Sequence, residues 1–156
     1  MRRSLRDNLG KIPILLFLII TLLLTLAFAK DSLSVKRVID GDTLLMADGE
    51  RVRLIGVDTP ETKHPQKSIQ YFGKEAYLFT KKMVEGKEVR LEFDWQRRDK
   101  YGRLLAYVYL TDGTFLNSEI IKQGYGFAYT RFSFKYLEDF RTYEREAREN
   151  RKGLWK

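Results

Sequence analysis

From Ile12 to Ala29 the chain is uncharged and overwhelmingly apolar, and apolar residues never again gather in so long a block. Beyond it they come as short runs or at helical spacing. Val35 to Ile39 and Thr43 to Ala47 are β-rich runs flanking Asp40-Gly41-Asp42, and they predict two strands. Asp48-Gly49 tolerates the positive φ angles of a tight hairpin, so Arg51 to Val57 is predicted as a third strand, antiparallel to the second. Branched and aromatic content predicts two more, Glu88 to Asp94 and Leu104 to Thr111.

Phe72, Ala76, Phe79 and Met83 recur at three-and-four spacing, which predicts a helix over Gln70 to Val84 that Gly86 stops. Asn117 is placed to cap a short helix running to Gln123 and stopping at Gly124. Leu137, Phe140, Tyr143 and Ala147 form one stripe of a final charged helix, which Gly153 ends before Leu154 and Trp155 dock. The expected class is α+β: a five-stranded, partly open β-barrel of the oligonucleotide-binding type (OB-fold) with three helices. That shape assigns no chemistry by itself. Asp58 to Ser68, with two prolines, is predicted as a loop long enough to carry function.

The apolar block changes the picture of where the chain works. Arg2, Arg3, Arg6 and Lys11 precede it, so residues 1-29 are expected to be an export segment and 30-156 the single folded domain. Eighteen apolar residues exceed a signal core of roughly 7 to 15 and just reach the ~17 needed to span a bilayer. Ala27-Phe28-Ala29 is a small-x-small pattern that predicts cleavage after Ala29 and a secreted or periplasmic protein. The alternative is a membrane tether through residues 12-29, facing outward. With no cysteine, the fold has no disulfides and no thiolate zinc site.

Net charge is +8, and outside the export segment it stays positive, which favours polyanionic partners without requiring them. Histidine occurs once, at His64, so phosphodiester hydrolysis would have to rest on carboxylates, arginines and a metal. Asp40, Asp42 and Asp58 stand at predicted strand ends, where hairpin folding can gather them as hard oxygen ligands for calcium or magnesium. Taken singly, each is an ordinary turn residue. Glu61 follows Asp58 by three residues and could orient or deprotonate a water there. Arg53 and Arg103 lie on or beside strands leading to the same region, and a guanidinium can grip two phosphate oxygens in one plane. Lys100, Tyr101 and Tyr129 offer charge and rings of the kind that single-strand binders use.

Read together, IDGDT at Ile39 to Thr43, RLIGVDTPE at Arg53 to Glu61 and DKYGR at Asp99 to Arg103 resemble the staphylococcal nuclease family in order and approximate spacing. The resemblance covers roughly residues 35 to 155. It implies that Asp42, Asp58 and the backbone carbonyl of Thr59 bind Ca2+, with Asp40 in support. It gives Glu61 the attacking water, Arg53 and Arg103 the phosphoryl oxygens, and Lys100, Tyr101 and Tyr129 the nucleotide. The implied activity is cleavage of DNA and RNA at the 5′ P–O bond to leave 3′-phosphate ends, with single or frayed strands preferred and the protein a monomer. One departure is Arg131, which stands where a second tyrosine is expected, so a phosphate contact would replace stacking there. A non-catalytic nucleic-acid or protein-binding barrel is the competing expectation, and the intact Glu61, Arg53 and Arg103 argue against it.

Overall fold

The computed structural model describes residues 32–62 and 70–156. The export segment, Lys30 and His64 lie outside the described residues. Strands β1 (Ser32–Asp40), β2 (Thr43–Met46) and β3 (Arg51–Leu54) form a meander, followed by β4 (Val57–Asp58) and helix α1 (Gly73–Val84). Next come β5 (Glu88–Glu92), β6 (Leu104–Leu110), α2 (Leu116–Lys122), β7 (Phe127–Ala128) and α3 (Leu137–Glu149), with a final 3-10 turn at Gly153–Trp155.

The order β1-β2-β3-β6-β5 closes on itself, so the expected partly open barrel is in fact closed. Two features close it. β3 lies parallel to β6, pairing Val52 with Leu104 and Leu54 with Ala106. At the other seam, the Val35 amide donates to the Lys87 carbonyl and the Gly86 amide to the Val35 carbonyl. β1 slips register twice against β2, the kind of irregularity that lets one long strand bend around a small barrel. Val35, Leu44, Met46, Val52, Leu54, Val89, Ala106 and Val108 fill the interior, all nearly inaccessible to water.

The predicted third strand does not run to Val57. It stops at Leu54, and Gly56 turns the chain at φ +72, where a Cβ would strike the Phe134 ring at 2.5 Å. Beyond that turn β4 leaves the barrel and pairs with β7, Val57 opposite Ala128 and Asp58 opposite Phe127. This two-stranded strip has only two residues per strand, too short to read from alternation.

Helix α1 begins at Gly73, later than the predicted Gln70, and buries Gly73, Ala76, Thr80 and Val84. Phe79 and Met83 lie beside that face, partly buried. Asn117 is not a cap. It sits inside α2, fully buried, where its amide donates to the carbonyls of Ile55 and Ala106 and its oxygen accepts the Val108 amide. One side chain thereby meets two backbone groups at the β3–β6 seam, the Ile55 carbonyl and the Val108 amide, and adds a second bond to the Ala106 carbonyl, which already accepts the Ile55 amide. The stripe of α3 holds as expected, with Phe140 and Ala147 buried and Leu137 and Tyr143 packed on the core. Trp155 does dock, edge-on to Phe127 and beneath the Arg148 guanidinium.

Candidate active site

The turn between β1 and β2, the β4 strip and the β5–β6 loop all emerge at one place on the barrel. Asp42 sits in that turn, 7 % exposed, and its position is over-determined: Oδ1 accepts the Thr43 hydroxyl and Oδ2 accepts the Thr59 amide. The second bond ties the β1–β2 turn directly to the end of β4. Gly41 makes the approach possible, because a Cβ there would lie 2.6 Å from the Thr59 hydroxyl. The Gly41 carbonyl accepts the Thr80 hydroxyl, so α1 braces the same turn from behind.

Asp42 and Asp58, distant in sequence, meet at one atom. Nη2 of Arg53 lies 3.1 Å from Asp42 Oδ2 and 3.2 Å from Asp58 Oδ1. The other amino group, Nη1, donates to the carbonyls of Leu54 and Val57. With protein groups alone around it, Arg53 is thus occupied by carboxylates and backbone carbonyls, while it still lines both cavities together with Arg103. Two adjacent carboxylates with only protein around them need a counter-charge, and the guanidinium supplies it. Arg103 is placed differently. Its Nε donates to Asp99 at 2.7 Å, which leaves both terminal amino groups without a protein partner among the described residues.

Asp40 stands beside this pair, its Oδ1 accepting the Gly41 amide and the Thr62 hydroxyl. Glu61 is within hydrogen-bonding reach of Asp40. Desolvation in the acidic cavity, that bond, and the charges of Asp40, Asp42 and Asp58 push the Glu61 carboxyl up to about 7. Asp58 is raised as well, by burial first, with Arg53 opposing and Asp42 reinforcing. The Glu61 backbone is fixed by a clasp with Gln70, whose side-chain oxygen accepts the Glu61 amide and whose amide donates to the Glu61 carbonyl.

The fit of a hard divalent cation rests on this donor set. Asp42 and Asp58 are oxygen donors brought to a common point, and the burial and neighbouring carboxylates that raise Asp58 and Glu61 favour a positive charge beside them. Among the described residues no group of three acidic, histidine or cysteine side chains is arranged as a complete ligand shell, so backbone carbonyl and water would make up the rest. The Thr59 hydroxyl is buried and has no hydrogen-bond partner, directly beside the β1–β2 turn.

Two cavities meet at the arginines. One of about 330 Å³ is lined by Asp40, Asp42, Thr43, Glu61, Arg53 and Arg103. The other, about 400 Å³, is lined by Arg53, Asp58, Arg103, Lys100, Tyr101, Tyr129 and Phe132. The three residues singled out for nucleotide contact all border this cavity. Arg131 does not enter that lining. Its guanidinium lies over the Tyr129 ring, 5.8 Å from the centroid, and its charge reaches Asp58. Gln96 and Phe132 line the same cavity and were not singled out by sequence, since neither belongs to a recognisable block.

Residues 51–156 match the family model described as staphylococcal nuclease homologue. The chain is 44% identical to a thermonuclease of Staphylococcus hyicus over 123 residues, 76% of this chain and 72% of that protein. It is 47% identical to a thermonuclease of Staphylococcus intermedius over 131 residues, 80% and 76% of the two chains. With endonuclease YncB of Bacillus subtilis it shares 41% over 130 residues, 80% of this chain and 61% of that one. On the family model and these identities together, the chain belongs to the staphylococcal nuclease family.

Proposed function

We propose that this protein is a calcium-dependent nuclease that hydrolyses phosphodiester bonds of DNA and RNA. The observation that carries the reading is the meeting of an acidic and an aromatic cavity at Arg53 and Arg103. A strand laid across that junction puts a phosphate between the carboxylates and the free amino groups of Arg103, with its sugar and base among Tyr101, Tyr129 and Lys100.

When bound, Ca2+ held by Asp42, Asp58 and the Thr59 carbonyl supplies positive charge to a phosphate oxygen and to the water that attacks. Asp40 steadies the turn that carries Asp42, as its bond to the Gly41 amide allows. Glu61 accepts a hydrogen bond from the attacking water and orients it in line with the leaving 5′ oxygen. Arg103 places two N–H donors on the phosphoryl oxygens, where charge grows in the transition state. Arg53 joins it as its ion pairs with Asp42 and Asp58 slacken beside the cation. The products carry 3′-phosphate ends. Single or frayed strands are preferred, because ring faces in an open cavity stack on unpaired bases. The protein acts as a monomer outside the cytoplasm, released by cleavage after Ala29 or tethered by residues 12-29.

Single-stranded DNA and RNA incubated with the protein under a calcium titration, then with chelator, test the reading. Cleavage should appear with calcium and stop with chelator, and Glu61→Gln or Arg103→Ala should lower turnover about a hundredfold or more with binding changed only a few fold. No cleavage with any divalent cation, or an equal loss of binding and turnover in both variants, overturns it.

A further inference from the structure

Trp95, in the β5–β6 loop, is 73% exposed, yet two hydrogen bonds hold it. Its backbone amide donates to Asp94 Oδ1 at 2.8 Å, and its indole N–H donates to the Ser133 carbonyl at 3.2 Å. Asp94 is itself anchored, its other oxygen accepting the Tyr107 hydroxyl at 2.6 Å and the Lys135 amide at 2.8 Å. An exposed indole with a pinned edge is an arrangement that presents a fixed ring face to solvent, with little rotamer freedom left to lose on binding.

Trp95 is not isolated. It shares a shallow recess with Gln96, Leu105, Phe132 and Phe134, and Gln96, Leu105 and Phe132 also line the aromatic cavity. Phe132 packs edge-on to Tyr129, with ring centroids 5.4 Å apart. Tyr129 and Trp95 thus border two adjoining hollows that have Phe132 in common. The recess shares no lining residue with the acidic cavity. Arg97 and Lys100 make no ion pair among the described residues, each lying over a ring, of Phe93 and Tyr101, while Arg131 lies over Tyr129 with its charge reaching Asp58. Arg98 and Lys135 are in contrast neutralised by Glu50 and Glu92.

We propose that Trp95 is a base-stacking platform for a second nucleotide of a single-stranded substrate, next beyond the cavity of Tyr101, Tyr129 and Phe132. This rests on the nuclease reading for the nucleotide in that cavity. Unpaired cations interleaved with exposed rings are the chemistry that binds a single-stranded polyanion without reading its sequence.

Calorimetric titration in calcium, with Glu61→Gln as the background to prevent cleavage, uses thymidine monophosphate and oligothymidylates of two, four and eight nucleotides as probes, and emission is followed in parallel with Trp155→Phe added, so that Trp95 is the one tryptophan left to report. The dinucleotide, tetranucleotide and octanucleotide should quench Trp95 emission and the mononucleotide should not. Trp95→Ala should weaken binding of the longer probes about tenfold, the scale of one lost stacking contact, and leave the mononucleotide unaffected. Trp95→Phe, which keeps a ring, should restore most of the loss, and Trp95→Leu should not. Equal effects on all four probes, or none on any, overturn the proposal, as does full recovery with leucine. If wild-type protein fails to cleave while the length-dependent loss persists, catalysis falls and the stacking site stands. If it cleaves and Trp95→Ala binds every probe normally, the stacking site falls alone.

Discussion

On the acidic side of Arg103 the oxygens are held by backbone and hydroxyl groups, and Asp42 alone accepts from Thr43, from the Thr59 amide and from Arg53. On the aromatic side the lining is exposed rings and cations, with Tyr101 67% and Phe132 38% open to solvent. The first arrangement fixes positions at the cost of crowding like charges. The second accepts any base and costs the fold little. Precision is thus concentrated where a bond is to be broken, and tolerance where a strand has only to be held.

The two arginines at the boundary divide along the same line. Arg53 belongs to the fold as much as to the site: Arg53→Ala strands Asp42 and two backbone carbonyls, and should cost about 3 kcal/mol in urea unfolding as well as activity. Arg103→Ala removes one ion pair at the surface and should change unfolding by less than about 1 kcal/mol while abolishing most turnover. Equal destabilisation by the two would erase the distinction.

Calcium should stabilise the acidic side selectively, by about 2.7 kcal/mol at a hundredfold excess over its Kd, read as a rise in Tm. The size of that rise should depend on pH. Glu61 among protein charges alone stands near 7 against an ordinary value of 4.5. The folded chain therefore binds its proton more readily than the unfolded one, and the stability so contributed is present below about 4.5 and lost as pH climbs through about 7. A cation offsets the loss, so the calcium-induced shift should grow between about pH 5 and pH 8. A shift independent of pH would mean that the carboxylates are not crowded.

The aromatic side should show the opposite pH response at its base. Burial works to raise the Asp94 carboxyl, but the Tyr107 hydroxyl and the amides of Lys135 and Trp95 outweigh it and hold the group below its ordinary value. Its contribution is present above the unfolded value near 3.8 and fades as pH falls through the lower folded value. Asp94→Asn should remove about 1 kcal/mol at neutral pH and less in acid, measured by denaturant unfolding at both.

The barrel and the acidic cluster were legible in sequence because strand breaks, the Asp48-Gly49 hairpin and three motif blocks each occupy contiguous positions. What escaped was decided by groups far apart in the chain. The β4–β7 strip is too short to have a pattern, and Asn117 looks like a cap until the β3–β6 seam brings the Ile55 and Ala106 carbonyls and the Val108 amide to its side chain. Nor does any spacing tell that Arg53 is consumed by Asp42 and Asp58 while Arg103 is left open. Trp95 and Phe132 acquire meaning only through the cavities they border.

Gly41 bears on how firmly Asp42 is held, although it ligates nothing. Its single hydrogen lets Thr59 lie against the turn, and a methyl group would sit 2.6 Å from the threonine oxygen and wedge the end of β4 outward. The bond from the Thr59 amide to Asp42 depends on that closeness, so alanine at position 41 would strain it and loosen the carboxylate from the end of β4.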